Sequence, residues 1–133
     1  SVGGKQNRSR LRVLIADDSS TARIQVRTVL QGLGFSQFLE VPDGAFAIAM
    51  AAREKCDLIV TDYNMPLMDG RALVSYLKQN PATAAIPIIF LTANAQPAEV
   101  TQYKALGAMD VIAKPFNPMT LASQIRQVWD ARP

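Results

Sequence analysis

The chain contains no histidine, and that absence removes several kinds of chemistry at once. Without an imidazole there is no Ser/His triad, no His-ligated zinc centre and no phosphohistidine. Cysteine is nearly missing as well. Cys56 stands alone, so no internal disulfide forms, in keeping with a reducing cytoplasm. Placed just before an apolar run, its thiol reads as a small buried hydrophobe rather than a reactive group. No apolar stretch is long enough to cross a bilayer, and no charged start leads into a signal-peptide-like segment, so a soluble protein without membrane contact is expected. A strong charge of one sign is lacking too. The net charge is +3, and part of the excess lies in Lys5, Arg8, Arg10 and Arg12. Residues 1–10 are Gly/Ser/Asn-rich with almost no apolar side chains and read as a flexible lead-in or linker. They lack interleaved aromatics, so no direct nucleic-acid binding is expected.

What is present is one domain's worth of chain: 133 residues, 49% of them hydrophobic, enough for a single packed core. Short apolar runs alternate with longer segments of helical period, which argues for a parallel sheet with helices on both faces. Strands are expected at 11–16, 38–41, 58–61, 86–91 and 109–113. Between them, Ser19 or Ser20 caps a helix carrying Ala22, Val26, Val29 and Leu33, which Gly32 and Gly34 stop. Pro42-Asp43-Gly44 turns into a helix over 45–53, and residues 62–70 form a loop before a helix over 71–79. Pro97 opens the next helix, which ends near Gly107, and Asn117 or Pro118 opens the last, with Leu121, Ile125, Val128 and Trp129 facing the sheet.

Four of the apolar runs end in polar residues that core packing does not call for. The first leads into Asp17 and Asp18, the third into Asp62, the fourth into Thr92 and the fifth into Lys114. Neighbouring parallel strands bring such residues to one edge of the sheet, where open α/β sheets hold their ligands. Three carboxylates that close repel unless a cation sits among them, which predicts a divalent metal and an anionic ligand. Magnesium suits the set, because it takes oxygen donors and bridges to phosphoryl oxygens. Asp62, at the end of a central strand, is the nucleophile candidate. Its attack on a phosphoryl group gives an acyl phosphate, with Lys114 neutralising charge and Thr92 donating a hydrogen bond.

The residues that carry this chemistry resemble those of a response-regulator receiver domain. The resemblance rests on Leu14-Ile15-Ala16-Asp17-Asp18-Ser19, Val60-Thr61-Asp62-Tyr63-Asn64-Met65-Pro66-Leu67-Met68-Asp69-Gly70, Phe90-Leu91-Thr92-Ala93 and Lys114-Pro115-Phe116, four segments in order at matching separations. It covers nearly all of the chain from Leu11 to Trp129, and Asp18-Ser19-Ser20-Thr21-Ala22-Arg23 is most similar to single-domain chemotaxis-type receivers. The resemblance implies a flavodoxin-like (βα)5 fold with strand order 2-1-3-4-5, occupying residues 11–131. It also implies that Asp62 is the phosphoacceptor, that Asp17, Asp18, Asp62 and the backbone carbonyl of Asn64 hold Mg2+, and that Thr92 and Lys114 contact the phosphoryl group. The Lys114-Pro115 bond is expected to be cis. The phosphoryl donor would be a sensor histidine kinase or histidine phosphotransfer protein, and an unidentified protein would be the target. A cytoplasmic monomer is expected, with dimerisation on phosphorylation as a further possibility.

One departure concerns the readout. Many receivers carry Tyr or Phe three residues before the lysine; here the position is Val111, so phosphorylation is expected to be retained while its transmission through the last strand is altered. Tyr103, within a helix, reads as ordinary packing. Asn64 and Asn94, two residues past Asp62 and Thr92, flank the path of attacking water and are too weakly basic to activate it. An intermediate phosphate lifetime follows, and Asn94→Glu and Asn64→Arg are expected to change the decay rate of the labelled protein. Asp69-Gly70 reads as a turn and helix cap, and Met65 and Met68 as loop and core filler. A dehalogenase-type phosphatase needs a second acid where Asn64 stands. A flavodoxin-type cofactor binder needs a phosphate-cradling first loop rather than two acids. The remaining alternative is a receiver-like docking module that works without phosphate. The sequence thus reads as a switch and not a turnover enzyme, and with no output domain in these residues its effect is expected to come through a docked partner or through another part of a longer protein.

Overall fold

The computed structural model of the protein describes residues 8–131. Five strands and five helices alternate along them. The strands are β1 (Arg12–Ala16), β2 (Gln37–Val41), β3 (Leu58–Asp62), β4 (Ile88–Thr92) and β5 (Asp110–Ala113). The helices are α1 (Ser20–Gly32), α2 (Gly44–Glu54), α3 (Gly70–Gln79), α4 (Pro97–Leu106) and α5 (Pro118–Ala131). All strand pairs are parallel, in the order β2-β1-β3-β4-β5, the flavodoxin-like order that the resemblance to receiver domains implies. The fourth strand starts at Ile88 rather than 86, because Pro87 lacks the N–H that a ladder needs.

Alternation along the strands sorts the core into two layers. Val13 and Ile15 of β1 pack with Leu58, Val60, Ile89, Leu91 and Ile112 under α1 and α5. Leu14 and Ala16 point the other way and pack with Ile59, Ile88, Phe90 and Val111 under α2, α3 and α4. The central strands β3 and β4 are buried at every residue, as expected for a parallel sheet covered on both faces. Ser19, Asp43 and Asp69 cap α1, α2 and α3, their side chains accepting from the N–H groups of Ala22, Phe46 and Ala72. Each cap satisfies a donor that the first helical turn leaves open. Asp69 is therefore the cap its sequence suggests, while Gly70 has a second role: a Cβ there would lie 2.4 Å from Cδ2 of Tyr63. Met65 is buried and Met68 packs against the core. Cys56 is buried as expected, and burial pushes its thiol up to about 11, so it stays protonated and unreactive at neutral pH.

The packed body begins earlier than residue 11. Arg8, read from sequence as part of a flexible lead-in, is buried; its Nη1 donates to the Leu33 carbonyl at 2.8 Å and its Nη2 pairs with Asp130 at 3.0 Å. The Ser9 carbonyl accepts from Ser36 and Gln37 side chains at 2.9 and 3.1 Å. These contacts tie Arg8 to the end of α1 and to α5, and Ser9 to the start of β2, a partnership that local composition cannot reveal. The remainder of the expected lead-in, 1–7, lies outside the described residues.

Candidate functional site

Parallel pairing brings the ends of β1, β3, β4 and β5 together, and the polar residues that follow the apolar runs meet there. Asp17 continues β1 by one residue, its N–H donating to the Val41 carbonyl at 3.1 Å. Its buried carboxylate accepts from the Ser19 N–H at 2.9 Å and from Lys114 Nζ at 2.7 Å. Asp18, next along, is exposed. Asp62 closes β3, and its Oδ1 lies 3.7 Å from Lys114 Nζ and 3.4 Å from the N–H of Asn64. One ammonium thus faces two carboxylates from two strands. Lys114 reaches them because its own N–H donates to the Thr92 carbonyl at 2.8 Å, which extends the β4–β5 ladder past Ala113. The Lys114-Pro115 peptide bond is cis, as the resemblance implies.

Carboxylate oxygens of Asp17, Asp18 and Asp62 all lie within 4.8 Å of one another. Burial pushes the Asp62 carboxyl above its ordinary value; Lys114 opposes the rise, while Asp17 and Asp18 add to it. The direction has a consequence for stability. A carboxyl whose pKa is raised by folding contributes nothing below its unfolded pKa. It becomes destabilising as the pH rises from the unfolded value to the raised folded one, and the full cost is present above the folded value. The crevice therefore holds negative charge that the fold only partly compensates. Hard oxygen donors in that state fit a hard divalent cation such as magnesium.

Thr92 is fully buried at the end of β4, with its hydroxyl oxygen accepting from the Asn94 N–H at 3.0 Å. Its other contact, to the Asn94 carbonyl, is long at 3.5 Å, which leaves the hydroxyl proton free to favour a better acceptor. A groove of about 390 Å³ between α1 and the segment after β5, lined by Ala22, Gln25, Pro115 and Phe116 among others, opens on Lys114. A larger cleft beside Asp57, Lys78 and Trp129 lies at the opposite end of the strands. The carboxylate cluster is not part of it.

Two features escape sequence reading. The rings of Tyr63, Phe90 and Tyr103 pack together, with centroids 4.4 Å apart for Tyr63 and Tyr103 and 5.2 Å apart for Tyr63 and Phe90. Tyr103, expected as packing, is indeed buried, but its partner follows Asp62 directly. Val111, opposite Phe90 in the β4–β5 register, is buried in the same layer. The second feature is a charge network in which Arg23 donates to the Asp17 carbonyl and approaches Glu40 on β2. Only Arg23's position six residues after Asp17 hints at it.

Comparisons with known proteins give one consistent picture. The family model for the response regulator receiver domain matches residues 13–126. A probable chemotaxis protein CheY of Rhizobium etli is 34% identical over 122 residues, 92% of this chain and 95% of that protein. Chemotaxis protein CheY-3 of Vibrio cholerae is 32% identical over 120 residues, 90% of this chain and 92% of that protein. Among solved structures, chemotaxis response regulator CheY4 of Vibrio cholerae superposes with a TM-score of 0.81 at 35% identity, covering 89% of this chain and 98% of that one. The match takes in each residue of the crevice, and the relatives are matched over almost their whole length, so the chain belongs to the response regulator receiver domain family.

Proposed function

We propose that this receiver domain is a phosphorylation-operated signalling switch whose acceptor is Asp62. Membership of the family carries two-component signalling, and the observation that supports the residue assignment is the meeting of Asp17, Asp18, Asp62 and Lys114 at the strand ends. Because these 133 residues contain no histidine, the phosphoryl group comes from outside the domain. A phosphohistidine on a sensor kinase or phosphotransfer protein is the natural donor, and a small acyl phosphate is an alternative. An Asp62 carboxylate oxygen forms the new bond to phosphorus as the donor's P–N bond breaks, and the histidine nitrogen leaves with the electron pair. The carboxylates of Asp17, Asp18 and Asp62 and the backbone carbonyl of Asn64 would hold Mg2+, which supplies positive charge to the phosphoryl oxygens when bound. Lys114 adds a second cation on the same group, and Thr92 turns its hydroxyl from the Asn94 carbonyl toward a phosphoryl oxygen.

Turning Thr92 disturbs the segment after β4 and with it α4, whose Tyr103 rests on Tyr63. In this reading the change reaches a protein target through α4 rather than through a ring on β5, since position 111 is valine. The domain acts by changing its affinity for a partner, not by turning over an external substrate.

The test is intact mass after incubation with acetyl phosphate and magnesium, beside Asp62→Asn and a chelator control. One phosphoryl adduct that requires both Asp62 and magnesium is expected. Asp62→Asn should also melt higher than the wild type in metal-free buffer, because it removes one of three crowded carboxylates. No adduct under rapid quenching, together with no binding of beryllofluoride, would leave the docking-module alternative.

A further inference from the structure

The loop carrying Asp17 and Asp18 is gripped from behind by a charge network that the proposed phosphoryl chemistry does not use. Arg23 lies in the first turn of α1, and its Nη1 donates to the Asp17 carbonyl at 2.6 Å. Its Nε is buried, makes no hydrogen bond and stands 3.5 Å from Glu40 Oε1. Glu40 also pairs with Arg27, one turn further along α1. Both members of the inner pair are largely buried, with 19% and 22% of their side chains exposed. The β1–β2 register ends at Ala16 and Val41, so Asp17 is the first residue past the ladder. There, Arg23 supplies the hydrogen bond that its carbonyl receives.

We propose that Arg23, braced by Glu40, is a positioning residue for the divalent-cation site. This rests on reading Asp17 and Asp18 as cation ligands. The Asp17 carbonyl belongs to the peptide unit that joins Asp17 to Asp18, and that unit is planar. Fixing its oxygen fixes the plane, and rotation of the plane would swing the Asp18 side chain away from Asp17 and Asp62. Asp17 is held at its N–H and carboxylate by other groups, whereas Asp18 is exposed and owes its orientation to this peptide. Replacing groups that orient metal ligands without touching the metal commonly costs about tenfold or more in metal affinity.

A simple charge effect predicts the opposite sign. As a bare cation near three carboxylates, Arg23 opposes a divalent ion, and its removal would tighten binding. As a brace, its removal loosens the acidic loop and weakens binding. Lysine separates the two readings, because it keeps the charge but lacks the planar fork that spans the Asp17 carbonyl and Glu40.

The experiment is calorimetric titration of Mg2+ into the metal-free full chain, as wild type, Arg23→Met, Arg23→Lys and Glu40→Gln, with circular dichroism and metal-free melting as fold checks. We expect about tenfold weaker Mg2+ binding in Arg23→Met, a smaller weakening in Glu40→Gln, and failure of Arg23→Lys to restore the wild-type value. Acetyl-phosphate labelling of Asp62 in Arg23→Met should recover as magnesium is raised. Folded Arg23→Lys that binds Mg2+ as tightly as the wild type, or Arg23→Met that binds it more tightly, overturns the proposal while leaving Asp62 chemistry intact. If Arg23→Met does not fold, Arg23→Lys decides alone. A wild type that binds no Mg2+ overturns both this proposal and the cation site beneath it.

Discussion

Replacing Lys114 with alanine is expected to lower the melting temperature of the metal-free protein sharply and, at the same time, to tighten its binding of magnesium. Lys114 Nζ lies 2.7 Å from a carboxylate whose side chain is only 2% exposed and 3.7 Å from Asp62. Removing one partner of such a pair leaves a buried charge uncompensated, a loss of about 3–5 kcal/mol. Lys114 is itself 23% exposed, so water screens part of the interaction and the lower end applies. For a domain of this size about 3 kcal/mol corresponds to a fall of roughly 10 °C. In the proposed cation site the same ammonium competes with the ion for Asp17 and Asp62, so its loss is expected to strengthen metal binding, and a bound ion stabilises only the folded state. Thermal melts with and without magnesium check both halves. Equal melting shifts on adding magnesium to wild type and Lys114→Ala would show that the lysine and the metal do not share these carboxylates.

The largest loss of stability expected from a single substitution near the site comes from Phe90→Ala. Phe90 is completely buried in β4, two residues before Thr92, and its ring meets Tyr63 and Tyr103 edge to face at 5.2 and 5.8 Å. Truncating such a phenylalanine removes apolar contact and leaves a cavity, at about 3–5 kcal/mol. Tyr63 and Tyr103 lose their common support, so α4 should also detach more readily from the sheet. Urea unfolding measures the first effect and amide exchange in α4 the second. Phe90→Leu, which keeps most of the volume, should cost less. If α4 exchange rose no more than that of α1, the ring cluster would be packing without any link to the β4–α4 segment.

Much of the candidate site is legible in the sequence. Asp62, Thr92 and Lys114 stood out because each ends a run of apolar residues, and β3 and β4 are buried at every position, so a polar residue at the end of either run marks where the strand reaches the edge of the sheet. The cap at Asp69 was equally local. Arg8 is illegible for the opposite reason. Its neighbours are small and polar, and nothing within a helical turn announces a partner at Leu33 or Asp130. The same holds for Tyr63 with Tyr103 and for Arg23 with Glu40. Each pair joins residues far apart in the chain, and local periodicity does not encode which neighbour they face.

The sequence by itself determined the order of strands and helices, the absence of any histidine with which to donate a phosphoryl group, and the residues that stand at the strand ends. Those properties depend on local patterning and composition. Only the tertiary structure decided that Lys114 spans Asp17 and Asp62, that an arginine close to Glu40 of β2 donates to the Asp17 carbonyl, and that a tyrosine from α4 rests on the residue that follows Asp62. Hydrogen bonds and ring contacts of these kinds require distances of a few ångströms between residues far apart in the chain. Those distances exist only after the hydrophobic layers on both faces of the sheet have set the relative positions of the strands and helices.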